Sequence, residues 1–168
     1  MPNTYTFLTY PTLQNGVSVI SRSSWAFGSW VTLAERTPVD IYIQALRFQV
    51  TNVPTADTTY EQLFEIGIGA QNSEVTKIQI PYSFRADTAV GYYVGTLVEY
   101  LPEVYFVPAF SRIAVRVANS VASNITYNGV KILYQTASTP IISNAQPNNY
   151  QFPRSVSAGI ISVGERIR

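Results

Sequence analysis

Apolar and polar residues alternate along most of this chain, and no stretch of helical period of any length interrupts them. Val31–Leu33, Phe64–Ala70, Ile78–Tyr82, Val90–Val98, Ile113–Val117 and Val130–Tyr134 each place apolar side chains at every second position. Successive side chains of a strand point to opposite faces, so this spacing gives one face to bury and one to leave wet. Gly, Pro and Asn punctuate the runs, which predicts short strands joined by turns in antiparallel sheets.

The pattern predicts about eight strands. The first falls around Gly16–Ser21. The second, Trp25–Leu33, has a bend or bulge at Gly28-Ser29. After a turn at Thr37–Asp40, Ile41–Val50 changes parity: Ile41 and Ile43 are odd, whereas Leu46, Phe48 and Val50 are even. That change requires either a bulge near Gln44–Leu46 or a shift from one neighbouring surface to another. Leu63–Ala70 and Val75–Tyr82 flank a turn at Gln71-Asn72-Ser73, and Val90–Leu101 follows, with Val98 and Tyr100 in phase with Val90, Tyr92 and Val94. Ser111–Ala118 alternates most cleanly. Ile125–Gln135 contains Asn128-Gly129, a pair that often makes a two-residue hairpin and so gives one or two final strands.

Strands recurring every ~8–12 residues predict an all-β, antiparallel β-sandwich, with an eight-stranded jelly roll as its natural host and an immunoglobulin-like sandwich as the alternative. The sandwich would occupy residues 17–135. Residues 1–16 read as an N-terminal arm with Tyr5, Phe7, Leu8 and Tyr10 able to dock. Residues 136–168 carry three Pro and isolated apolar points such as Ile141, Tyr150, Phe152 and Ile160. They read as an extended C-terminal arm pinned to a neighbouring surface, or as a tail ordered in patches.

Composition narrows the chemistry. Charged residues are only 12% of the 168, about half the usual share, and Tyr (12) outnumbers every charged type. So little charge leaves identical subunits free to pack side by side, which points to a homo-oligomer. The net charge of +1 argues against nucleic acid as the main ligand. Arg112 and Arg116 share a strand face, which reads as a solvated or inter-subunit surface before a phosphate track. With no Cys and no His, disulfides, thiolate metal sites and the commonest general base are excluded. No secretory signal is visible at Met1–Leu13, and no apolar run is long enough to span a bilayer.

The remaining candidates are few. Glu61 with Glu65 and Glu99 with Glu103 are the only carboxylates close in sequence, and the parity of Glu65 and Glu99 reads as solvent-facing. Asp57 stands alone among threonines, so no calcium loop is formed. Gly67 and Gly69 flank Ile68 within a strand on its non-core face, with no following helix, so they make no phosphate cradle. Trp25, Trp30, Tyr92, Tyr93 and Tyr100 fit core packing and subunit contact, and alternatively a sugar-stacking platform. We therefore expect no catalytic residues, no metal and no cofactor.

Three stretches, Gly28–Leu33 (GSWVTL), Leu63–Tyr82 (LFEIGIGAQNSEVTKIQIPY) and Val104–Val121 (VYFVPAFSRIAVRVANSV), occur in that order. Together they resemble small jelly-roll structural proteins of tailed-bacteriophage virions, across Trp25 to Tyr134. Phe110 stands where that pattern usually has Gly, which implies a different turn or an added contact. The resemblance implies a non-enzymatic virion component, made in the host cytoplasm and placed on the capsid surface. It would be a decoration (cement) protein, a dimer or trimer that clamps subunits of the major capsid protein through its body and arms. A tail-fibre, receptor-binding or neck module, with glycan as a ligand, is the alternative.

Overall fold

In the computed structural model, which describes residues 7–12, 15–50, 58–86 and 96–136, the alternating segments become nine strands among the described residues. They are β1 (Leu8–Tyr10), β2 (Val17–Ile20), β3 (Val31–Ala34), β4 (Ile41–Val50), β5 (Thr58–Ile68), β6 (Val75–Ala86), β7 (Thr96–Val107), β8 (Ile113–Asn119) and β9 (Thr126–Thr136). The described residues form no helix, and so none able to cross a membrane. Tyr92, Tyr93, Asp57 and the segment 137–168, read as the body of the C-terminal arm, lie outside the described residues.

The strands form two antiparallel sheets packed as a β-sandwich. The first has the order β1-β9-β4-β7, with β2 also on β9; β1 takes Ile132–Tyr134 and β2 takes Thr126–Val130, so the two share one edge of β9. Leu8–Tyr10, within the stretch read as an N-terminal arm, is thus a strand of this sheet. The second sheet has the order β3-β8-β5-β6. Both sheets contribute to a single core: Phe48 and Tyr127 from the first meet Phe64 from the second, with ring centroids 4.5 and 5.1 Å from Phe64. Ile41, Ile43, Leu46, Ile66, Ile113 and Ile132, all buried, surround them. Such aromatic clusters add directional contacts to the area they bury.

The parity change in β4 is a bulge. Ile43 pairs Tyr134 and Ala45 pairs Leu133, so Gln44 has no partner on β9. On the other side Ile43 pairs Tyr105 while Ala45 pairs Tyr100, so Leu101–Val104 of β7 buckle opposite Gln44. Gln44 is fully buried there, and neither its Nε2 nor its Oε1 has a hydrogen-bond partner.

Two expectations are corrected. Asn128-Gly129 makes no hairpin. It lies inside β9, where Arg47 pairs Lys131 but Gln49 pairs Asn128, a bulge with Gly129 at φ +60°. That left-handed conformation suits Gly, and β2 shifts register opposite the same point. The phase of β7 is also reversed. Leu97 and Glu99 pair the core-facing Phe48 and Leu46, so Val98 and Tyr100 point outward. The alternation was real, but it marked the outer face.

At one end of the sandwich the buried Thr37 ties two turns together. Its N–H donates to Ser111 O and its hydroxyl to Pro108 O, while Asp40 accepts from Ala109 N–H. Phe110, beside this knot, holds φ +66° and keeps the backbone shape a Gly would take. Its exposed ring lies 4.2 Å from the Arg36 guanidinium, the added contact its side chain makes. Among the described residues β6 and β7 each have one neighbouring strand, and each carries a Pro, Pro81 and Pro102, beside charged residues such as Lys77 and Glu103.

Candidate functional site

The outer faces of the two sheets are finished differently. On the second sheet, Arg116 of β8 and Arg112, the residue just before β8, are both occupied by acids. Arg116 Nη2 lies 2.6 Å from Glu65 Oε2, and Thr76 and Gln79 donate to the same carboxylate at 3.0 and 2.9 Å. Arg112 bridges Glu35, Glu74 and Thr32. Phe27 and Trp30 fold over this ladder, their rings 4.4 and 4.3 Å from the Arg116 guanidinium. Trp30 can lie flat because Gly67 sits beneath it; a Cβ there would come within 2.7 Å of the indole.

Glu65 is therefore not the solvent-facing charge its parity implied. It points away from the core, yet it is 4% exposed because the 25–30 segment covers it. Burial raises its pKa, but the bonds from Gln79, Arg116 and Thr76 and the Arg116 charge outweigh this and hold the carboxyl below its ordinary value. Glu74 behaves likewise: burial raises it, while its own backbone N–H and Arg112 bring it lower. These carboxylates are fixed as acceptors, an arrangement suited to rigidity and not to proton transfer.

The outer face of the first sheet has no such cover among the described residues. Val98, Tyr100 and Phe106 of β7 are 38, 53 and 47% exposed, and Tyr42 of β4 tilts against Phe106 at 5.4 Å. Leu133 of β9, half-buried, extends the apolar surface, because Ala45 pairs both Tyr100 and Leu133. Side chains with a large apolar body and a polar tip, such as Tyr, suit surfaces that close against a partner.

Two clefts flank these faces. One, of about 280 Å³, is lined by Trp25, Glu61, Gln62, Pro81, Tyr82, Ser83 and Glu99. Trp25 is exposed at φ +64°, Gln62 is buried with both amide atoms unpaired, and burial together with the Glu99 charge pushes the Tyr82 hydroxyl up to about 12. The second, of about 240 Å³, is lined by Asn15, Arg47, Gln49, Asn128, Gly129 and Lys131, residues the chemical reading of the sequence passed over.

The structure thus separates the aromatics grouped by sequence. Trp25 borders a cleft, Trp30 caps the charged ladder, and Tyr100 stands on the other sheet. Glu61 and Glu99 meet at the Trp25 cleft, while Glu103 is exposed on β7. Among the described residues no cluster of acids could hold a metal ion. Comparison of the chain with protein-family models and with curated proteins finds no match.

Proposed function

We propose that this chain is a structural protein of a tailed-bacteriophage virion, a capsid decoration protein built on a jelly roll. Supporting the jelly roll, β2-β9-β4-β7 and β3-β8-β5-β6 are the two four-strand orders that an eight-strand double Greek key produces. The observation that carries the functional reading is the exposed apolar face of the first sheet, around Val98, Tyr100 and Phe106, which no segment among the described residues covers. A chain with so little charge leaves such a face exposed where a neighbour covers it. The occupants in this reading are subunits of the major capsid protein and further copies of the chain, and the segment 137–168 adds reach across subunit boundaries. Each contact is modest, and repetition over a shell multiplies it.

The test compares purified particles with and without the protein by electron microscopy, alongside particles offered a Val98→Glu, Tyr100→Glu variant. Hundreds of copies on the head, and loss of occupancy by a variant that melts like the parent, support the reading. Wild-type occupancy by the variant overturns the face as the contact. A receptor-binding module is the second reading, favoured by the Trp25 cleft, where an indole stands beside carboxylates and an unpaired amide. A few copies at the tail, with glycan binding lost in Trp25→Ala, would select it.

A further inference from the structure

Arg47 of β4 and Lys131 of β9 are direct cross-strand partners on the outer side of the first sheet. Like charges placed opposite each other weaken a ladder. Among the described residues neither side chain has an ion pair or hydrogen bond. Lys131 is nevertheless only 6% exposed, and a buried ammonium is costly unless something of opposite charge answers it. Both line the 240 Å³ cleft, and no carboxylate is among its lining residues.

The rest of the cleft is also organised. The Gly129 bulge adds a residue between Asn128 and Lys131 that Gln49 and Arg47 do not match, and bulges commonly re-aim side chains at functional positions. Gly16 closes against the bulge, where a Cβ would lie 2.6 Å from Gly129 C. Gln49 donates through Nε2 to Thr96 Oγ1 at 2.6 Å, and Ser18 bonds Asn128 Oδ1, so both amides are held in place.

We infer that this cleft binds an oxyanion, a carboxylate or phosphate group carried free or on a small polar molecule. An anionic oxygen between the guanidinium and the ammonium turns their mutual repulsion into two charge-assisted bonds, and the amides of Asn15, Gln49 and Asn128 supply neutral partners around it. The volume suits a single sugar-sized ligand. The inference rests on charge geometry and stands whether or not the chain belongs to a virion.

Isothermal titration of the full chain with inorganic phosphate, with glucuronate and with uncharged glucose tests it. The expected result is saturable binding of at least one anion at millimolar concentration, weakened by added salt, and no binding of glucose. Tighter glucuronate identifies a sugar acid, and tighter phosphate a phosphate group. Lys131→Met, which keeps the buried stem, lowers the affinity at least tenfold. It also melts no lower than the parent in anion-free buffer, because it removes a like-charge pair. Arg47→Met, at the half-exposed partner, gives the same loss of affinity should the first variant fold poorly. Saturation by neither anion, or unchanged anion affinity in both variants, overturns the inference.

Discussion

Replacing Arg116 by Met removes a charge from the second sheet while keeping a side chain of similar reach. Arg116 presents Nε and Nη2 to Glu65 Oε2 at 2.7 and 2.6 Å, and its guanidinium is held between Phe27 and Trp30. Glu65, 4% exposed, would then be a buried carboxylate without its counter-charge. Breaking one side of such a pair costs about 3–5 kcal/mol, and each lost cation–π contact about 0.5–1 kcal/mol. Thr76 and Gln79 still donate to the carboxylate, and Arg116 itself is partly solvated, so the net expectation is about 3 kcal/mol. That corresponds to a melting point lower by about 6–12 °C for a domain of this size. Urea and thermal unfolding followed by circular dichroism measure it. Adding Glu65→Gln to Arg116→Met should recover at least half the loss, since the buried charge is gone, the Gln carbonyl still accepts from Gln79, and its NH2 can donate to the Thr76 hydroxyl, which is able to turn and accept. A single variant within about 1 kcal/mol of the parent, or strictly additive losses in the pair, would refute the account of this face.

Glu65 and Glu74 are both held below their ordinary values when folded, so they stabilise the protein above about pH 4.3 and cease to as pH falls through their folded values; Glu65→Gln should flatten the acid limb of a stability–pH curve. Gln44→Leu should raise stability by about 1–2 kcal/mol in urea unfolding, because it replaces a buried amide with two unpaired atoms by an apolar group of like volume. Phe110→Gly should leave the fold intact and raise stability by up to about 1 kcal/mol, since relief of a left-handed non-glycine residue exceeds the loss of one exposed cation–π contact. Should that variant instead unfold at lower urea, the strain assigned to Phe110 is wrong.

Much of the sandwich is legible in the sequence because a half-buried strand writes its period directly. The parity change from Ile43 to Leu46 marks an irregularity in β4 that the residues leave as a bulge or a shift of neighbouring surface, and only the pairing with β9 and β7 makes it a bulge. What escaped has physical reasons. Val98 and Tyr100 alternate as core residues do, and a strand apolar on its outer face has the same period as one apolar within. Glu65 was placed on the correct face, but parity does not say what lies over a face; here it is Phe27 and Trp30, from a loop far away in sequence. A signal was present in Gly67, a missing side chain opposite a large one. Arg47 and Lys131 come together only through a register that the Gly129 bulge sets, and nothing in either strand alone announces it.

The blunted margins of the sandwich limit how copies can add to one another. Among the described residues, Pro81 and Pro102 interrupt the edge strands β6 and β7, with Lys77 and Glu103 on the same strands, and the opposite edges are strands of only three or four residues, so a second chain finds no long clean row of amide groups along which to zip. Growth by edge-to-edge strand addition, which would spin copies into a continuous ribbon, is therefore disfavoured at these borders.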